Sequence, residues 1–555
     1  MLKRFQGIYH IFFCKTCIFF YTVFFMIILY YSGIYGAFVL DDITYFVDND
    51  ILKHLGPFDF KEIFLNTSNY WGELLPVRDY LYVLEHTFFD QNPIGYHVVS
   101  LILFMACAFV LYQWIKELLN YFAAYNKNYN TNGLQLAAYL VIVVFICHPV
   151  NVEVVAYISG QKDVLSGFFI LSSLLFFTKI ARSEDFNWKW FLLGIVLHYL
   201  AVMSKQIALA SILFVPVLWY ILGNLSFKKW IYRVGIWILV NIPVLVWTFY
   251  TASKTSQYQA NLINTPFLER IPRAIHYLGF HIQHIIWPYP LNVSYVSSKV
   301  VSDNTYFTIG LLFLLIALII FIWRKKSIYM LGISVFLIYL LPVLQILPEM
   351  SNDHLYDRYL LIPQLGAYLL FVALIFSKVI AKHRKLKILL VIFTGVVIVN
   401  YAVMTSNYIP VFKNNLGIAE NEYKIYPNDE NAIYSFAQEL MNSGEIDRAE
   451  EFVKEEAFFK KVDWLYNFFL GRIAYDRGDV DLAYTYQVAA YNKSNKPGVY
   501  QIAGVYLAKI MIEKGEYDNA YVLLNELKQK TLNEPNLSYH VADMLQELAT
   551  KRNMQ

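Results

Sequence analysis

Phe38-Val39-Leu40-Asp41-Asp42-Ile43-Thr44-Tyr45 closes an apolar run that begins at Cys17. A run of about 20 apolar residues can cross the hydrocarbon of a bilayer. Two adjacent carboxylates therefore stand where a membrane helix meets water. Ionisable groups at membrane depth are expensive, and they are usually paired or functional. The plainer reading is that the pair ends the helix and marks the interface.

The 555-residue chain is 58% hydrophobic and 16% charged, with a mean hydropathy of +0.43. Soluble domains average about 45–50% apolar and about 25% charged residues, so this composition marks a polytopic membrane protein. A net charge of +3 is too small to imply a nucleic-acid partner. Cys14, Cys17, Cys107 and Cys147 all lie in or beside apolar runs, which supports neither a disulfide framework nor a zinc site. The basic start followed by an apolar run resembles a signal peptide, but the run is long and has no small-residue cleavage site before the acidic pair. An uncleaved first helix is expected.

Basic residues mark cytoplasmic ends of spans. Lys3, Arg4 and Lys15 place the N-terminus inside and Asp41-Asp42 outside, and the cations from Lys378 to Lys387 mark the inside turn before the last span. Residues Pro272–Trp287 are short and carry three histidines. They read as an interfacial or re-entrant helix, because a full crossing would put Arg324-Lys325-Lys326 outside. The count is about eleven spans, an odd number, so everything after Met404 lies outside.

From Ile409 the apolar runs break into helical periods between charged turns. Gly444-Glu445-Ile446-Asp447-Arg448-Ala449, Gly478-Asp479-Val480-Asp481-Leu482-Ala483 and Gly515-Glu516-Tyr517-Asp518-Asn519-Ala520 recur 34 and 37 residues apart. A period near 34 with this turn is the tetratricopeptide signature. The expected fold is all-α: a polytopic membrane unit over 1–408, then a tetratricopeptide α-solenoid over 409–555. Such a solenoid offers a concave face for extended chains. The alternative is a helical hairpin array used for packing.

Several polar clusters arrive at the same outer face. They are Asp41-Asp42, the loop around Arg78, the stretch from His148-Pro149 through Glu153 to Lys162-Asp163, and Lys205 with Asp357-Arg358-Tyr359. Carboxylates among cations at a membrane surface suit a lipid phosphate, whose oxygens the cations hold while a carboxylate takes a proton. Each residue also has a plain structural reading. Arg78 and Arg358 read as interface anchors, Glu153 as a solvated helix start, Lys162-Asp163 as a surface pair and Lys205 as a snorkelling turn residue. No His/Asp cluster has convincing metal spacing, so the sequence points to no metal and excludes none.

Six motifs in order carry a more specific resemblance: Phe38-x-x-Asp41-Asp42-x-x-Tyr45; the Arg78 loop ending Asn92-Pro93-x-Gly95-Tyr96-His97; His148-Pro149-x-x-x-Glu153 with Gly160-x-Lys162-Asp163; Ser204-Lys205; Tyr289-Pro290-Leu291-Asn292; and Asp357-Arg358-Tyr359. With the trailing repeats, the chain resembles the transmembrane-and-tetratricopeptide O-mannosyltransferases and their bacterial relatives, which belong with the protein O-mannosyltransferases in the GT-C class. It departs in lacking the Trp common before the acidic pair and in having Val77-Arg78-Asp79 where Tyr-Arg-Pro occurs.

The resemblance implies a polyprenyl-phosphate-linked sugar as donor, a hydroxyl as acceptor and inversion at the sugar carbon. It implies Asp41 as general base, Asp42 as a positioning group for acceptor or sugar, and Glu153 as an orienting group. Arg78, Lys205 and Arg358 are then candidates for the donor phosphate, with Lys162 and Asp163 beside them. The isoprenoid lipid, membrane lipids and a protein bound through the repeats are the implied partners, in a bacterial inner membrane with periplasmic repeats or in an ER membrane. The rival functions are transfer to a lipid or surface glycan, and a non-catalytic membrane scaffold displaying the repeats.

Overall fold

The computed structural model describes residues 15–66, 74–125, 131–183, 185–253, 266–323, 326–346, 354–375, 383–493, 499–530 and 535–552. The chain divides into two compact units, Met1–Gly417 and Ile418–Gln555. The division falls a little after the change of sequence character at Ile409, because the turn Ile409–Lys413 belongs to the first unit. Ile409 and Phe412 are buried there, and the Lys413 carbonyl accepts a hydrogen bond from the Ala37 N–H. Both units are helical. Among the described residues the strands are a two-residue antiparallel pair, Tyr295–Val296 against His354–Leu355.

The described apolar segments are largely helical, but their lengths differ. Pro93–Ala123, Ile158–Arg182, Phe227–Thr251, Asn304–Trp323 and Ile388–Lys413 are long and apolar enough to cross a bilayer. Leu136–Cys147 and Pro149–Ala156 form a bent pair at 60°. Phe20–Tyr35, Trp188–Ser204, Gln206–Leu222, Ile328–Val343 and Gln364–Ile375 are shorter. Particular residues break the runs. Pro149 lacks an N–H and forces His148 into extended backbone (φ −69, ψ 122), so the helix ends at Cys147. Extended Lys205 (φ −160, ψ 129) separates Trp188–Ser204 from the next helix.

Ile158–Arg182 is the central helix, 72% buried, and packs against Trp188–Ser204, Pro93–Tyr125 and Ala210–Leu222. Asn304–Trp323 and Ile388–Lys413 are only 11% and 17% buried. Apolar faces of that extent need hydrocarbon around them rather than water. The chain is an integral membrane protein. Several cations that set the expected sidedness, Lys3, Arg4, Lys378 and Lys382, lie outside the described residues.

Phe267–Ile286 is a helix whose C-terminal half is largely buried and carries His276, His281 and His284. It is not among the helices long and apolar enough to cross. It packs closely on Asn304–Trp323: a Cβ at Gly279 would stand 1.8 Å from the Tyr306 carbonyl oxygen, and one at Gly310 2.2 Å from that of Ile275.

In the second unit Glu430–Asn442 packs on Ile446–Glu455, Asp463–Asp476 on Val480–Lys493, and Val499–Glu513 on Tyr517–Lys530. Each first helix ends at a glycine with φ of +74, +83 or +78. The paired bonds Gly444 N–H to Met441 and Glu445 N–H to Leu440 close the first end, and the same pattern recurs at Gly478 and Gly515. This is a Schellman cap, which needs a left-handed residue and so favours Gly. Ala449, Ala483 and Ala520 are fully buried where the paired helices meet. Arg477 pairs with Asp447 and Lys514 with Asp481, so the cations before Gly478 and Gly515 each reach the aspartate of the preceding turn.

Candidate active site

The first apolar helix runs into the short turn Tyr31–Tyr35, then extended chain, then Leu40 in the left-handed region at φ 49. A π-helical turn, Ile43–Val47, follows. Within this bend the two carboxylates part company. Asp42 is fully buried: Oδ1 accepts from the Ser159 N–H at 2.7 Å and its hydroxyl at 2.5 Å, and Oδ2 accepts from the Val39 N–H at 3.1 Å. Burial pushes its carboxyl up to about 7, against the downward pull of those donors. Asp41 is half-buried and gives its own N–H to the Tyr157 hydroxyl at 3.2 Å. Its carboxylate has no hydrogen-bond or ion-pair partner among the described residues. One carboxylate pins the bend and its neighbour is left open.

Glu153 sits on Val152–Ala156, the short helix after the Pro149 bend, and is buried. Its Oε1 accepts from Arg358 Nη1 at 2.6 Å and its Oε2 from the Arg358 N–H at 3.0 Å. The Arg358 guanidinium lies 4.0 Å from the Tyr356 ring centroid, and its Nε is buried without a partner among the described residues. Lys205 bonds Asp163 and stands 5.0 Å over the Tyr359 ring, which Arg358 also approaches at 5.8 Å. Burial pushes the Lys205 amine down to about 8, opposed by Asp163. The second Asp163 oxygen is buried without a partner among the described residues. Asp163, Arg358 and Tyr359 line a narrow cleft of about 20 Å³, partly open to solvent, whose other walls include Ile170, Ile207, Leu361 and Ile362.

Arg78 lies elsewhere. It is buried on Pro76–Phe89, a helix begun by a proline at its first position. Its Nε donates to Asp79 at 2.8 Å, and its guanidinium lies 5.5 and 5.8 Å from the rings of Tyr45 and Tyr82. The Lys162 amine also stands 5.5 Å from the Tyr45 ring. The structure thus brings Arg78 and Lys162 together on Tyr45, and Lys205 and Arg358 together on Tyr359. Burial holds the Tyr356 hydroxyl up, with Arg358 and Lys162 pulling it down and Glu153 and Asp41 pushing it up.

Sequence reasoning missed several of these groups. Glu85 is buried, its carboxyl held well above the usual range by desolvation, with Oε1 accepting from Gln161 at 2.8 Å. Arg78, Tyr82 and Glu85 are all buried at helical spacing on one face, a pattern that marks an inward charged stripe. Asp357 accepts from Tyr295 at 2.7 Å and bonds His284 Nδ1 at 2.9 Å, which ties the helix Phe267–Ile286 to the Arg358 turn. Among the described residues no three His, Cys, Asp or Glu side chains group as a metal site would.

No protein-family model and no solved structure matches the chain. Curated proteins do. A protein O-mannosyl-transferase of Caenorhabditis elegans is 29% identical over 34% of this chain and 25% of its own length. The protein O-mannosyl-transferase Tmtc3 of Drosophila melanogaster is 25% identical over 28% of this chain and 18% of its own. TMTC4 of Homo sapiens, carrying the same description, is 28% identical over 31% of this chain and 25% of its own. The chain therefore spans a quarter or less of the curated relatives it matches. Within that stretch, it resembles the TMTC-type protein O-mannosyl-transferases.

Proposed function

We propose that the chain is a membrane glycosyltransferase of the GT-C type. It moves a sugar from a polyprenyl-phosphate donor to a hydroxyl, a Ser or Thr of a protein, on the outer side of the membrane. The observation that carries this reading is the unequal state of the acidic pair. Asp42 is buried and fully engaged, while the Asp41 carboxylate has no partner among the described residues, and the cations Lys205 and Arg358 are each held by a carboxylate. The relatives' names supply mannose as the sugar and protein as the acceptor.

The chemistry divides accordingly. An alcohol is too weak an acid to ionise beforehand, so its proton leaves during attack, to the Asp41 carboxylate. The acceptor oxygen bonds to the anomeric carbon from the face opposite the phosphate, the bond to the phosphate oxygen breaks, and the configuration inverts. The departing lipid phosphate carries the electron pair, and Arg358 and Lys205 stabilise it. Glu153 and Asp163 hold those cations in place before the donor arrives. The apolar wall of Ile170, Ile207, Leu361 and Ile362 suits the first isoprene units. Arg78 and Lys162 support the Tyr45 side, and the repeats present the acceptor.

Asp41→Asn keeps size and most hydrogen bonding but removes the base. Transfer of labelled mannose from a polyprenyl phosphate by purified protein should fall by about 10²–10⁴-fold, with the protein still inserted and folded. Activity within a few-fold of wild type would overturn the assignment.

A further inference from the structure

We infer that Asn415 is a positioning residue for Asp41, acting through the backbone of Leu40; the inference rests on Asp41 being the base. The Asp41 side chain is held by no described partner, so its aim is set by the backbone that carries it. That backbone passes through Leu40 at φ 49, a region that residues other than Gly, Asn and Asp seldom adopt. The surroundings must therefore impose it.

They do so from one short segment. The Leu40 N–H donates to Asn415 Oδ1 at 2.9 Å, and the Ala37 N–H donates to the Lys413 carbonyl at 2.9 Å. The Asp41 N–H donates to the Tyr157 hydroxyl, and the Tyr157 ring stacks on Phe412 with centroids 6.4 Å apart. A Cβ at Gly36 would stand 3.2 Å from the Phe412 carbonyl oxygen and 2.9 Å from His97 Nε2, so the bend lies directly against this segment. Asp42 pins the bend from inside through Val39 and Ser159, and residues 412–415 pin it from the other side. Asn415 is the one of these ties made by a side chain to the residue immediately before Asp41. Losing it frees Leu40 to relax toward ordinary backbone and swings the Asp41 carboxylate away from the acceptor.

The test uses the full chain in lipid nanodiscs, with Asn415→Ala, Asn415→Asp and Asp41→Asn beside wild type. Asn415→Ala should speed hydrogen exchange of the peptide covering residues 37–42 and leave the other described helices unchanged. It should lower kcat for mannose transfer from polyprenyl-phosphate mannose by about ten- to a hundredfold, the scale of a small misplacement, with KM for the donor unchanged. Asn415→Asp retains the acceptor and should restore both. Unchanged exchange, or unchanged kcat while Asp41→Asn is inactive, would overturn the role of Asn415. An active Asp41→Asn would instead overturn the base reading, and exchange alone would then decide whether Asn415 holds the bend.

Discussion

Asp42→Asn tests whether Asp42 is a buried pin. The wild-type carboxyl moves from 3.8 to about 7 on folding, because burial outweighs the three donors. A rise of about three pKa units is worth about 4 kcal/mol at about 1.4 kcal/mol per unit. The sign follows from linkage. Between about pH 4 and 7 the folded state holds a proton that the unfolded state has lost, so stability is fully present below pH 4 and drains away as pH rises through 7. Asn does not titrate. It keeps one acceptor for Ser159 but turns a donor toward the Val39 N–H, at a cost of about 1–3 kcal/mol for the unsatisfied group. The variant should therefore melt below wild type near pH 4.5, and the gap should close or reverse by pH 8. Thermal unfolding in nanodiscs, followed by tryptophan fluorescence across that range, reads the difference between the two curves. A gap independent of pH would refute the reasoning. So would a variant with wild-type melting that has lost transfer as completely as Asp41→Asn, since Asp42 would then be acting on substrate.

Three further outcomes are expected. Arg358→Lys keeps the charge but loses the fork that reaches buried Glu153, so donor KM should rise by about tenfold, the equivalent of about 1.4 kcal/mol, and melting should fall as well; an unchanged donor dependence would move the phosphate site. Gly279→Ala drives a methyl into the Tyr306 carbonyl and should destabilise by about 1–3 kcal/mol; wild-type melting would mean that these helices do not touch. In a chain without native cysteines, exposed Val522→Cys should react with an impermeant thiol reagent added from outside and exposed Asp185→Cys should not, while the opposite labelling would invert the sidedness.

Much of the fold was legible. Hydropathy marks each apolar helix because lipid-facing residues need no polar alternation, and the left-handed glycines at 444, 478 and 515 mark the turns of the second unit because other residues avoid that conformation. Span length was less legible, since local breaks at Pro149 and Lys205 shorten helices without changing their apolar character. For the candidate site the sequence offered residue types, but not their pairing. Asp42 meets Ser159 117 residues away, and Glu153 meets Arg358 205 residues away. Nothing in a carboxylate's own neighbourhood tells which distant donor will reach it. For the same reason Asp41 and Asp42 look alike in sequence and differ entirely in burial. Arg78 and Arg358 likewise look alike in sequence, yet Arg78 pairs with its own neighbour Asp79 beside Tyr45 and Tyr82, and Arg358 with distant Glu153.

On the proposed reading, the paired charges constrain how a donor phosphate is received. A lone cation or carboxylate in so buried a setting would be expensive, so Arg358 and Lys205 are accompanied by Glu153 and Asp163. Pairing does not exhaust them. A guanidinium has five N–H donors and an ammonium three, and Arg358 Nε has no partner among the described residues. A phosphate can therefore be added to the existing pairs without breaking them, and when it leaves no cation is stranded. The two carboxylates also keep the resting site near electrical balance, so the negative donor is the addition that tips it. By the same reckoning Glu153→Gln should cost stability more than it improves donor binding, because it strands Arg358 in a buried position.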